Sequence, residues 1–165
     1  MGNIIVVCIA LLLYIIYNST AIILFGVPHS LSETYYLYNK KNGKGILFSV
    51  FLTVVSLLLL PVWLEVSKEN TQFLVFLGLC SLCFTAAAPA FKNTKMEDRV
   101  HTISAIIGAI CSLLWVIFNG MWTIILAWTI IVLLVSYITK TIKTSYIYWL
   151  ETIAFMSTFT ALLVY

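Results

Sequence analysis

The chain has 165 residues, 62% of them hydrophobic and only 9% charged, with a mean hydropathy of +1.08 and a formal net charge of +3. A globular domain in water carries about 45–50% apolar and about 25% charged residues. A soluble enzyme, a disordered chain and a nucleic-acid binder, which needs a clustered basic face, are excluded, and an all-α integral membrane protein remains.

A hydrocarbon core about 30 Å thick requires about 20 apolar residues in a helix. Six runs meet that length, and transmembrane helices are predicted at 3–25, 45–66, 72–91, 102–119, 121–139 and 145–165. Helices are the expected form, because each backbone group must find its partner within its own segment and no strand-like alternation is present. The fold class is a compact six-helix bundle in one domain.

The first run lacks a basic leader and a small-residue cleavage site, so it reads as a span and not as a signal peptide. Polar residues Tyr17, Asn18, Ser19 and Thr20 interrupt its inner half. Asn18-Ser19-Thr20 spells a glycosylation sequon. At membrane depth these residues instead supply hydrogen bonds between helices, worth about 0.6–2 kcal/mol each, or line a polar pathway with Glu151.

The connection that follows contains Ser30-Leu31-Ser32-Glu33, a capping-box pattern in which Ser30 caps and Glu33 reaches back. It predicts a short helix over 31–39 carrying Tyr35, Tyr36 and Tyr38, followed by Lys40, Lys41 and Lys44. Tyrosines rest at headgroup level and lysines reach an anionic lipid surface, so this is an expected interfacial helix contacting lipid. The functional alternative is that His29, Ser30, Ser32 and Glu33 line a site at the cytoplasmic mouth.

The run Pro28-His29-Ser30-Leu31-Ser32-Glu33-Thr34-Tyr35-Tyr36 resembles a P-x-S-x-S-x-T-Y-Y pattern of small multi-span bacterial and phage membrane proteins that lack an assigned activity. Ala88-Pro89-Ala90-Phe91 and His101 fit two further features of that group, an A-P-x-F segment and a later histidine opening a helix. The resemblance covers about half the chain in patches. It implies a six-span bundle and supplies no chemistry.

Pro61 is expected to kink the second span, and Glu65, Lys68 and Glu69 mark its outer end. Cys80 and Cys83, with Cys111 at similar depth, read as small apolar packing and not as a redox pair. In the next connection Asp98 and His101 stand three apart and share a helical face. With His29 and Glu33 on the same membrane side they make a candidate metal set, although no H-E-x-x-H spacing supports it. Capping by Glu97 and Asp98, with His101 at the interface, is the plainer reading.

Ser104, Gly108 and Ser112 recur every four residues, a small-residue stripe for close helix packing within the bundle or between subunits. Asn119-Gly120 divides a stretch of about 38 residues that is too long for one crossing. Trp115 and Trp122 flank this turn as expected interfacial anchors. Glu151, about two turns into the last run, is an ionisable residue at membrane depth and a functional candidate on that ground.

Orientation follows from the basic residues. Lys40, Lys41, Lys44, Lys92, Lys95, Arg99, Lys140 and Lys143 fall on one side of the six-span scheme, and Lys68 alone on the other. The basic side is cytoplasmic. Both termini are then non-cytoplasmic, in a cell membrane that the resemblance makes a bacterial inner membrane.

No nucleotide loop, nucleophile motif or cofactor signature is present, which favours a non-enzymatic, self-associating bundle acting as a channel, a permeability effector or a scaffold. The alternative is an intramembrane, metal-assisted lipid hydrolase with catalytic candidates His29, Ser30, Asp98 and His101. A small proton-coupled transporter ranks third, because no inverted repeat accompanies Glu151. The bilayer is the expected partner, with a second copy of the chain in the self-associating reading and no nucleic acid in any.

Overall fold

The computed structural model describes the backbone of residues 2–87 and 95–165 and the side chains of residues 3–87 and 99–165. Among these residues the chain is all-α: α1 Gly2–Phe25, α2 Glu33–Asn42, α3 Ile46–Val66, α4 Gln72–Ala87, α5 Lys95–Phe118, α6 Trp122–Ile138 and α7 Tyr146–Val164, with a 3-10 turn at Glu69–Thr71 before α4. Five helical segments are long and apolar enough to cross a membrane, namely Asn3–Phe25, Ile46–Val66, Glu69–Ala87, Arg99–Phe118 and Tyr146–Val164, while Trp122–Ile138 is a shorter apolar helix. The helix that contains the 102–119 run extends back over the polar turn Lys95–Arg99. The 72–91 expectation ends in residues outside those described, as does Ala88-Pro89-Ala90-Phe91.

Helices α1, α3, α4, α5 and α7 pack in that order and close into a ring through α1 against α7. Helix α6 sits outside the ring against α7, burying only Val132 and Ser136 of its own length. Tyr14 of α1 joins three helices, with its ring 6.3 Å from Phe51 of α3 and 5.1 and 5.7 Å from Phe155 and Phe159 of α7. Small residues let α4 and α5 approach closely: a Cβ on Gly78 would stand 3.3 Å from Cys111 Cβ, and one on Gly108 3.2 Å from Leu82. At the far end of the ring Trp63 meets Trp115 edge to face at 5.5 Å, and Trp115 Nε1–H donates to Ser67 Oγ at 2.7 Å. Trp115 is therefore a fully buried plug and not the interfacial anchor its position suggests; Trp122 remains exposed.

The turns follow from backbone chemistry. After α5 the Met121 N–H bonds the Val116 carbonyl and the Gly120 N–H that of Ile117, a Schellman ending with Gly120 at φ +76°. After α6 the same pattern recurs, Thr141 to Ser136 and Lys140 to Tyr137, but here a lysine occupies the left-handed position at φ 57°. An L side chain in that region costs about 1–2 kcal/mol. Lys140→Gly should therefore raise the melting temperature of the purified chain in detergent, while Gly120→Ala, whose Cβ meets no atom within 4 Å, should lower it by a similar, purely conformational amount.

A cleft closed by the loop after the first helix

The segment between α1 and α2 is not helical, so its backbone needs partners from elsewhere. The start of α7 supplies them. Glu151 Oε2 accepts the Leu31 N–H at 2.6 Å, Ser145 Oγ donates to the Val27 carbonyl at 3.2 Å, and the Tyr148 N–H donates to the His29 carbonyl at 3.0 Å. His29 Nδ1–H donates in return to the Thr144 carbonyl at 2.7 Å. The exchange is mutual, because the first N–H groups of a helix have no intrahelical acceptor, and here the loop carbonyl of His29 provides one.

The capping pair is adjusted by one residue. The Glu33 N–H does bond Ser30 Oγ at 3.2 Å, but the Glu33 carboxylate takes the N–H of His29 and not that of Ser30. The resulting helix, Glu33–Asn42, starts two residues later than expected and ends on Gly43 at φ +67°. Its buried residues Thr34 and Tyr38 face the bundle. Thr34 Oγ1 gives its proton to the Leu31 carbonyl and receives that of Tyr17 at 2.6 Å, while Tyr17 stacks on Phe51 at 4.1 Å. Burial pushes the Tyr38 phenol above its ordinary pKa. Tyr35 and Tyr36 are half-buried, and Lys40, Lys41 and Lys44 are exposed, with Lys41 Nζ 5.4 Å above the Phe25 ring.

Of the run Asn18, Ser19 and Thr20 in α1, only Asn18 turns inward, as Tyr17 before it does in part. Asn18 donates to the Tyr14 carbonyl at 2.9 Å and accepts the Tyr148 hydroxyl at 3.0 Å. Ser19 and Thr20 are exposed, and Thr20 Oγ1 returns its proton to the Ile16 carbonyl. The expected joint polar zone is thus Asn18 and Tyr148 beside Glu151, without Ser19 and Thr20.

Inside the ring lies a narrow cleft, open in part to the outside; its empty space, counted together with the open mouth, is about 620 Å³. Its walls are Phe48, Leu52, Leu59 and Trp63 of α3, Leu82 and Thr85 of α4, Ala105, Gly108, Ala109 and Ser112 of α5, and Glu151, Ala154, Phe155, Thr158 and Phe159 of α7, with Leu31 and Ser32 of the loop closing one end. The small residues of α5 leave the space, so Gly108 and Ser112 both pack and line; Ser104 is buried on the same helix. Trp63 is nearly fully buried, and its indole N–H finds no acceptor among the described residues.

His101 Nδ1–H donates at 3.1 Å to the carbonyl of Thr85, itself a wall of the cleft. Ser30 Oγ is 3.1 Å from Ser32 Oγ. The side chain of Asp98 lies outside those described, and the expected four-residue metal set as a whole lies outside them with it. Among the described residues no three His, Cys, Asp or Glu side chains come together to hold a metal ion.

Sequence reasoning found Glu151 and missed the rest of its wall. The signal was present: Glu151, Ala154, Phe155, Thr158 and Phe159 follow i, i+3, i+4, i+7 and i+8, one face of a helix. Trp63 and Leu82 carry no such mark. No protein-family model, curated protein or solved structure matches the chain.

The carboxylate of Glu151 holds a buried backbone N–H, and leaving such a donor unpaired costs about 1–3 kcal/mol. Glu151→Leu should lower stability by that amount in detergent unfolding. Glu151→Gln, whose carbonyl oxygen still accepts from Leu31, should retain most of it.

Proposed function

We propose that this is a six-span membrane protein that takes up an amphiphilic, lipid-like molecule in the cleft between its helices, with the head of that molecule at the cytoplasmic end beneath the 27–34 loop. The carrying observation is the cleft itself: a long apolar slot that ends, at one side only, on Glu151, Ser32 and Thr85. An apolar chain fits the walls, and a polar head fits the end.

The sixth crossing is Trp122–Ile138, whose 17 residues make about 25 Å of helix, at the short end of what a bilayer accepts. Its indole Trp128 Nε1–H, bonded to Thr160 Oγ1 at 2.9 Å, ties it to α7. With six crossings the basic connections are cytoplasmic, α2 lies at the inner interface with its lysines toward the headgroups, and both termini face outward. A tag at either end should be reached by an impermeant label on intact cells; labelling only after the membrane is opened would overturn the orientation.

The self-associating bundle draws less support. Of the residues expected to face a shared axis, Asn18 and one carboxylate oxygen of Glu151 take their partners within one chain. The small stripe is occupied by α4 at Gly108. Lipid hydrolysis at the same mouth is favoured by one feature. His29 spends Nδ1–H on a backbone carbonyl, so its neutral ring carries the lone pair on Nε2, the arrangement used by bases and metal ligands. Metal bound by the purified chain and lost in His29→Ala would move the reading to that enzyme.

Ala109→Leu places a larger side chain in the cleft. Native mass spectrometry of the purified chain should show a lipid-sized adduct that this variant loses while remaining folded by circular dichroism. Absence of any adduct on the unaltered chain, or equal retention by the variant, would overturn the cleft reading.

A further inference from the structure

The cleft walls differ sharply in what they can donate and accept. Thr85, Ser112 and Thr158 each give their only hydroxyl proton to a carbonyl of their own helix, those of Ser81, Ala109 and Ala154, at 2.9, 2.9 and 2.8 Å. A serine or threonine hydroxyl has one proton and two lone pairs, so these three present lone pairs to the cleft. Glu151 is similar. One carboxylate oxygen accepts from Leu31, and the other accepts no hydrogen bond among the described residues. The fully buried unpaired donor on the walls is Trp63 Nε1–H, while the Ser32 hydroxyl at the polar end shares one hydrogen bond with Ser30 Oγ in which either can be the donor. Trp63 stands fifteen positions beyond Phe48 on α3, about 22 Å along the axis, out of reach of a head seated at Glu151.

On the reading that the cleft takes up an amphiphile, we propose that its ligand is a single-chain amphiphile whose head donates hydrogen bonds, an alcohol or an amine, seated against the second carboxylate oxygen of Glu151. A phosphate or carboxylate head would set its lone pairs against those of Glu151 and Thr85, with the Ser32 hydroxyl as the one side-chain donor beside it. A hydroxyl or amine supplies protons that Glu151 and Thr85 do not, and a group left without its partner in such a place is costly. The length agrees. A bilayer acyl chain fills about half of a roughly 30 Å core, and the slot along α3 exceeds that. The walls named above line one slot, which a single chain fills.

The test compares heads on one tail, first on the unaltered full chain in detergent and then on variants that circular dichroism shows to be folded. Hexadecanol, hexadecylamine, palmitate, hexadecyl phosphate and hexadecyltrimethylammonium are titrated separately and bound copies are counted by native mass spectrometry. Hexadecanol and hexadecylamine should bind at least about tenfold more tightly than palmitate and hexadecyl phosphate, which corresponds to about 1.4 kcal/mol. The trimethylammonium head, charged but without a donor, should fall with the weak group. Glu151→Gln, which introduces an amide donor, should narrow the gap between alcohol and anion. If all five bind alike, or the anions or the trimethylammonium bind best, and Ala109→Leu abolishes that binding, the head assignment is wrong and the cleft reading stands. If none binds, or Ala109→Leu changes nothing, the cleft reading itself fails and this inference goes with it.

Discussion

The hydrogen bond from the Leu31 backbone to the Glu151 carboxylate is the interaction on which the site depends. It joins a loop to a helix 120 positions away in sequence, and three further bonds between residues 27–29 and 144–148 follow the same seam. In an apolar surrounding each unpaired backbone group costs far more than a bond gains. The loop can leave helical geometry only because α7 accepts and donates for it. The cleft then acquires an end, because Leu31 and Ser32 are held across it.

The packing around this seam is of a different kind. Lipid chains are as apolar as leucine, so burying apolar side chains between lipid-solvated helices gains little over leaving them in the bilayer. Shape complementarity and specific polar contacts decide which helices become neighbours. The Gly78–Gly108 approach, the Tyr14 aromatic junction and the Trp115–Ser67 bond are contacts of this sort. They hold α1, α3, α4, α5 and α7 in a ring whose interior is incompletely filled, since Ala105, Gly108 and Ala109 are too small to meet α7 across it.

The positions of the helices were legible because hydropathy and turn chemistry are local. Apolar runs located α1, α3, α6 and α7 to within about a residue or two, and Asn119-Gly120 announced its turn. What was not legible depends on rotation and on distant partners. Asn18, Ser19 and Thr20 are adjacent in sequence, yet a turn of about 100° per residue sends only the first inward. Trp115 looked like an anchor beside a turn and proved to be core, because its acceptor, Ser67, lies just past the end of another helix, α3. A helix that is apolar on all sides gives no stripe from which to read its neighbours, so the ring order and its cleft emerge only in three dimensions.

The seam between loop and last ring helix also bears on how the molecule is made. Its partners are separated by 115 to 120 residues, and contacts that distant form late, after shorter-range pairings such as α3 with α4 have closed. An assembly intermediate would thus hold most of its helices in place while the mouth stayed unlatched and the slot open along one flank. Completion of the seam would then close the polar end of the cleft last, as Leu31 and Ser32 are drawn across it.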